Sequence, residues 1–277
     1  MRKGIAALAV AVLMPACGDG SEAPIAVLAS SQGSIGIGEQ RVMFGVIDPE
    51  TQDFLAAPDR EATIEIRDEN GSPLDTYPTE FLWTVEGVRG LYVAYVDLPE
   101  PGTYQAIVEV EGLSSPAPVG FNAAEDPPVI QVGESAPLSE TRTASRPPGI
   151  AKISSDPDPD PDFYRLSVDE AVGNGSPSVI VFATPAWCAS QTCGPLLDQT
   201  KAIAAGFPGV DFVHVEIYED IQVETFEELS PIDAVADWGL PSEPWIFVVD
   251  KAGQVTATFE GVASDAELTE AIGAVAR

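Results

Sequence analysis

The stretch Ser178–Pro195, SVIVFATPAWCASQTCGP, decides how the second half of the chain is read. Val179, Ile180, Val181 and Phe182 form an unbroken apolar run, which predicts a strand buried on both faces. Thr184-Pro185 breaks the run. Trp187 and Cys188 follow, then Cys193, and at once Gly194-Pro195, where the proline suits a first helical turn. Strand, short turn, cysteine pair and helix place a thiol at a helix N-terminus, where the dipole and free N–H groups favour a thiolate. Spacing limits the pair. On a regular helix, residues five apart have Cα atoms about 8.7 Å apart, whereas a disulfide needs less than about 7 Å. A bonded pair therefore predicts an irregular loop over Ala189–Thr192 and a helix beginning near Gly194-Pro195. Closing so short a loop stabilises by only about 2 kcal/mol, so a redox-active pair and a structural staple both stand as readings.

Outward from this stretch, Ser167–Val172 begins with an N-cap candidate and two acids, and predicts a short helix ended by Gly173-Asn174-Gly175. After the helix that follows the cysteines, to about Ala205, come a strand over Asp211–Tyr218 and a helical stretch over Ile232–Trp238. Trp245–Val249 and Val255–Phe259 read as strands joined by the turn Lys251-Ala252-Gly253-Gln254. Ser264-Asp265-Ala266-Glu267 matches a capping box and opens a last helix to Val275.

Two motifs in this region carry a family resemblance. Trp187-Cys188, and Glu243-Pro244-Trp245-Ile246-Phe247-Val248-Val249-Asp250 followed by Gly253, resemble the W-C and the cis-proline segment of the thioredoxin-like superfamily. The resemblance covers roughly 167–277. It implies an α/β thioredoxin-like domain over 163–277 that exchanges a Cys188–Cys193 dithiol or disulfide with other proteins, without a cofactor. Cys188 would be the nucleophile and Cys193 the resolving thiol, with Trp187, Pro244 (in the cis form) and Glu243 at the substrate surface. The chain departs from the family in its C-x4-C spacing and in lacking the buried acid before the cysteines, where Val181 and Phe182 stand. Glu243 could replace that acid: ionised, it raises the thiol pKa; neutral, it relays a proton.

Other families share parts of the pattern. C-x4-C and Thr184-Pro185 are similar to one peroxiredoxin class, but Thr184 lies four residues before Cys188 instead of three. The arginines of this region, Arg165 and Arg277, also fall at the wrong positions. Cys188, Cys193 and His214 supply the ligand types of a Sco-type copper chaperone, and soft thiolates suit Cu(I). His214 instead sits mid-strand, where a plain sheet histidine is the simpler reading. A non-catalytic binding protein with a structural disulfide is the remaining alternative.

The N-terminal half carries no comparable chemistry. Met1-Arg2-Lys3, the apolar run Gly4–Leu13 and Met14-Pro15-Ala16-Cys17 resemble a bacterial lipoprotein signal peptide over 1–16, with Cys17 as the lipidated residue and 17–24 as a tether. That assignment implies an extracytoplasmic protein held to the membrane by lipid, and leaves Cys188 and Cys193 free to pair where disulfides persist. Ile25–Ala29, Arg41–Ile47, Ala62–Arg67, Phe81–Val85, Leu91–Val96 and Tyr104–Val110 read as short strands with turn signals between them. They predict an all-β immunoglobulin-like sandwich over 25–122. Residues 123–162 read as a Pro/Asp-rich linker, extended and solvated where proline recurs at 157, 159 and 161. Val132-Gly133-Glu134-Ser135-Ala136-Pro137 resembles the opening of thioredoxin-like domains, which moves the start of the second domain to about Pro127.

Across 277 residues, 13 Lys and Arg face 44 Asp and Glu, a formal charge of −31. Nucleic acid and anionic membrane surfaces are repelled by such a chain. The expected partners are extracytoplasmic proteins carrying thiols or disulfides. With one histidine and no G-x-S-x-G, a serine hydrolase is not indicated.

Overall fold

The structure, a computed structural model, describes residues 23–277; the signal sequence and Cys17 lie outside the described residues. Twelve strands form three four-stranded sheets. The first contains β1 (Ile25–Leu28), β2 (Gly38–Ile47), β5 (Glu80–Val85) and β6 (Arg89–Leu98), in the order β1-β2-β6-β5. The second contains β3 (Ala62–Arg67), β4 (Pro73–Pro78), β7 (Gly102–Val110) and β8 (Val119–Ala123), in the order β4-β3-β7-β8. All pairings in both are antiparallel. Alternation drives their stacking. In β3, Ala62, Ile64 and Ile66 are buried while Thr63, Glu65 and Arg67 are not, since successive side chains point to opposite faces. Those residues meet Val42, Phe44, Val46, Ala94 and Val96 of the first sheet in one core.

The third sheet contains β9 (Ser178–Phe182), β10 (Asp211–Val215), β11 (Trp245–Val249) and β12 (Val255–Glu260), in the order β10-β9-β11-β12. Only β9 and β10 are parallel. Every residue of β9 and β11 is buried. One face, with Val179, Val181, Ile246 and Val248, packs on α3 (Cys193–Ala204) and α5 (Asp265–Val275). The opposite face, with Ile180, Phe182, Phe247 and Val249, meets α2 (Val168–Gly173), α4 (Asp233–Asp237) and the segment around Val129. The capping boxes form: Ser264 Oγ accepts from Glu267 N–H at 3.2 Å, and Glu267 accepts from Ser264 N–H at 2.8 Å.

The fold class expected from the sequence, an all-β immunoglobulin-like sandwich followed by an α/β thioredoxin-like fold, needs correction. Three four-stranded sheets carry the chain, and only α3 and α5 run beyond six residues. Local helix signals overstate the helical part, because a cap or a proline marks where a helix starts and not how far packing extends it. Between β10 and β11 the one α-helix is the five-residue α4.

The region read as a linker is packed. Gly133 N–H and Ala136 N–H donate to the carbonyls of Val255 and Gly253, each at 2.8 Å, so this segment lies along β12. Gly239 (φ +64°) admits the Pro128 carbonyl so closely that a Cβ there would overlap it. Further on, Ile150, Phe163 and Tyr164 are buried, with Phe163 against Phe212. Asp156, inside the Asp-Pro run, pairs with Lys201 at 2.8 Å. Contacts joining the sandwich to the third sheet and the segments beside it include Arg41 to Glu267, Ser31 to Glu260, and an apolar cluster of Met43, Leu82, Leu91, Val93 and Val262. Among the described residues no helix is long and apolar enough to cross a membrane.

Candidate functional site

The end of β9 feeds directly into the cysteines. Ala183 still bonds the Val215 carbonyl. Thr184 is fully buried, its Oγ1 accepting from Ile217 N–H at 3.1 Å. Residues Pro185–Trp187 make one 3-10 turn, and Trp187 is fixed by donating from Nε1 to the Ile221 carbonyl at 3.0 Å and by an edge contact with Phe226. Cys188 and Cys193 are disulfide-bonded with Cα atoms 6.0 Å apart. The intervening loop is non-helical and turns back through Gln191 in the left-handed region (φ +66°), with α3 beginning at Cys193.

The two sulfurs have unlike surroundings. Cys193 is fully buried at the first position of α3, within the core. Cys188 is half-buried in the loop, its Sγ 3.2 Å from Ser190 Oγ and accepting from Cys193 N–H at 3.2 Å. The donor at Sγ is thus one of the unpaired N–H groups that begin a helix, a setting that stabilises a thiolate.

The Glu243–Pro244 peptide bond is cis, and Glu243 lines the same cavity as Ser190 and Thr192 of the disulfide loop. Glu243 Oε2 is buried without a hydrogen-bond partner. Burial pushes its carboxyl up to about 7, against the pull of the Thr184 N–H and hydroxyl, and the nearby Glu216 charge adds to the rise. Both forms of Glu243 are therefore populated near neutral pH.

Behind Thr184 lies a buried polar chain. Glu216 accepts from the N–H and hydroxyl of Ser155 and from the Ser154 hydroxyl. Ser154 Oγ is 2.9 Å from Tyr164 OH, which is 2.8 Å from His214 Nδ1. His214 Nε2 is 2.9 Å from the Ala183 carbonyl, and a carbonyl only accepts, so Nε2 carries the proton and Nδ1 accepts from Tyr164. Burial lowers the His214 pKa to about 4, although the Ala183 bond opposes it. Burial also raises Glu216 to about 7 against its hydrogen bonds.

These shifts give stability a pH dependence. Glu216 and Glu243 rise from 4.5, so each stabilises the fold below pH 4.5 and loses that contribution as pH climbs to about 7. His214 acts oppositely between about 4 and 6.5. With two groups against one, the protein is expected to be less stable at pH 8 than at pH 5.5. Glu216→Gln should reduce that difference by roughly 1–3 kcal/mol in chemical denaturation. Parallel pH curves for variant and wild type would contradict the assignment.

The structure thus places Ser190 and Thr192 of the disulfide loop on the same cavity as Glu243, with Trp187 held in the adjoining turn, while neither cysteine lines that cavity. It does not bring His214 to the cysteines, because both ring nitrogens are taken within the core. Among the described residues no group of three or more His, Cys, Asp or Glu is arranged to hold a metal ion. One participant has no local sequence signal. Arg89, of the sandwich, donates from Nη2 to the Ser190 carbonyl at 2.9 Å and from Nε to Thr84 Oγ1, and its guanidinium lies over Phe54. Its partner Ser190 is 101 residues away in sequence. Glu216 had a usable signal: it shares one face of the β10 stretch with Phe212 and His214, polar groups on an apolar face.

Two comparisons found nothing: no family model and no curated protein matches the chain. Among solved structures, it is similar to a conjugative transposon lipoprotein from Bacteroides eggerthii, at 17% identity and a TM-score of 0.21, over 37% of this chain and 98% of that one. A lipoprotein from Bacteroides thetaiotaomicron, solved by NMR in solution, is similar at 10% identity and the same TM-score, over 38% of this chain and 82% of that one. At that score neither likeness carries an argument about fold or function.

Proposed function

We propose that the protein exchanges its Cys188–Cys193 pair with thiols or disulfides of other extracytoplasmic proteins. The observation that carries this reading is the asymmetry of the pair: Cys188 is reachable in a loop at a helix N-terminus, while Cys193 is sealed behind it. In the reduced protein the Cys188 thiolate attacks a substrate disulfide, forms a mixed disulfide and expels one substrate thiolate. Cys193 then gives up its proton and attacks the Cys188 sulfur. The 188–193 bond closes, the second substrate thiolate leaves, and two electrons have passed to the substrate. The reverse sequence oxidises a substrate dithiol. The W-C and cis-proline motifs support this chemistry. Export and lipid attachment through Cys17 rest on the sequence of residues 1–17, and would hold the site outside the cytoplasm, anchored to the cell membrane by lipid.

The test is Cys193→Ser. Reduced and mixed with a disulfide-bonded peptide, this variant should accumulate a one-to-one mixed disulfide at Cys188, seen by mass spectrometry, while wild type accumulates none. Native near-ultraviolet circular dichroism without any adduct would sink the proposal.

A further inference from the structure

We infer that the cavity shared by the sandwich and the third sheet selects the substrate, and that its occupant is a polypeptide segment whose cysteine is flanked by apolar residues and a lysine or arginine. The inference rests on the exchange reading above and gives the sandwich a part in it.

The cavity has a volume of about 500 Å³, a size that takes a few side chains. Its walls are apolar: Val27, Met43, Phe54 and Leu91 from the sandwich, Val262 from the other side. Ser190 and Thr192 place the disulfide loop on its rim. An apolar wall that reaches Ser190, whose Oγ lies 3.2 Å from Cys188 Sγ, favours a cysteine with apolar neighbours, because their burial supplies the binding energy.

Charge decides the rest. Among the described residues lining the cavity, Arg89 is the one cation, and it is engaged by Ser190 and Thr84. Glu260 is engaged by Ser31 and Ser242. Glu243 remains, with a buried oxygen that lacks a donor. A lysine or arginine of the occupant would complement the carboxylates Glu243 and Glu260 on the lining. An acidic segment would find no free counter-charge there and would meet a chain of net charge −31. Gly45 keeps the space open: it lines the cavity, and a Cβ built on it meets nothing within 4 Å.

The experiment uses the full chain, Gly45→Phe to fill the cavity, and Val27→Glu to put a charge on its wall should the first variant fail to fold. Two peptides are compared, one with Leu and Phe beside its cysteine and a lysine two residues on, the other with Asp at those three positions. First, each peptide with its cysteine replaced by serine is titrated into oxidised protein by calorimetry. The apolar basic peptide should bind at least tenfold tighter than the acidic one, and either variant should lose at least tenfold of that affinity. Second, exchange with the disulfide form of the apolar basic peptide is compared with exchange with 2-hydroxyethyl disulfide. Gly45→Phe should lower the ratio of the two kcat/KM values at least tenfold. Equal affinity for both peptides, an unaltered affinity in both variants, or an unaltered ratio overturns the inference. Selective binding of the serine peptide without exchange of either disulfide overturns the exchange reading and leaves the occupant as proposed. Exchange of the small disulfide with no selective binding does the opposite.

Discussion

Arg41→Met is expected to lower the stability of the whole chain by about 3–5 kcal/mol at pH 7, the cost of stranding one member of a buried ion pair. Arg41 leaves β2 of the sandwich and meets Glu267 on α5, with Nε to Oε1 at 2.7 Å and Nη2 to Oε2 at 3.1 Å. The two side chains are 7% and 9% exposed, which separates this pair from surface ion pairs worth up to about 1 kcal/mol. Arg41 also donates to the Val262 carbonyl and lies over the Phe259 ring. Tyr95 donates to Glu267 at 2.7 Å. Burial pushes the Glu267 carboxyl up, yet the hydrogen bond and charge of Arg41, with the Ser264 N–H and Tyr95, hold it below its ordinary 4.5. A depressed carboxylate stabilises above its unfolded pKa and loses that contribution as pH falls through the folded value. The difference between variant and wild type should therefore shrink below pH 4.5. Denaturant melts at pH 7 and pH 3.5 check both parts. A double variant, Arg41→Met with Glu267→Gln, should recover part of the loss, since no charge is then left unpaired. A loss below about 1 kcal/mol would place the pair among exposed ones.

The elements legible in the sequence are those whose signal is local. The apolar run 179–182 gives β9, and the S-x-x-E box gives α5. The spacing of Cys188 and Cys193 requires a non-helical loop, and the structure has one. Misread parts depend on packing. β4, Pro73–Pro78, lies at a sheet edge, is mostly exposed and has a proline at each end, so it lacks both alternation and apolar content. β8 borders the stretch assigned to a linker, where Pro and Asp outweigh Phe121 and Ala123. The Asp-Pro run was expected in solvent because of its own composition; Lys201, from another element, pairs with Asp156 and draws the run onto the protein. The site divides the same way. Cys188, Cys193 and Trp187 announce themselves by chemistry and spacing. Arg89, Gly45 and Val27 become part of it only when two sheets distant in sequence meet, and contacts between distant segments leave no periodicity in either one.

Cys188→Ser is expected to abolish exchange, by a thousandfold or more, which corresponds to about 4 kcal/mol of barrier. The reason is that Cys193 cannot take over the attack. Its side chain is fully buried among Leu196, Leu197 and Val181, and a thiol in apolar surroundings resists ionisation. Reaching a substrate disulfide would require the start of α3 to open. The helix's own bond there, Leu196 N–H to the Thr192 carbonyl at 2.9 Å, and the Arg89 clamp on Ser190 both oppose such opening. Alkylation of the reduced protein reads the same asymmetry without any substrate. Iodoacetamide should modify Cys188 at least a hundredfold faster than Cys193, a ratio equivalent to about 2.7 kcal/mol of local opening. Arg89→Ala should narrow that ratio by loosening the loop while Cys188 stays reactive. Peptide mapping by mass spectrometry against time gives both rates. Equal rates would mean that the loop and the first turn of α3 open together in the reduced state, and the division of labour between nucleophile and resolving thiol would then be lost.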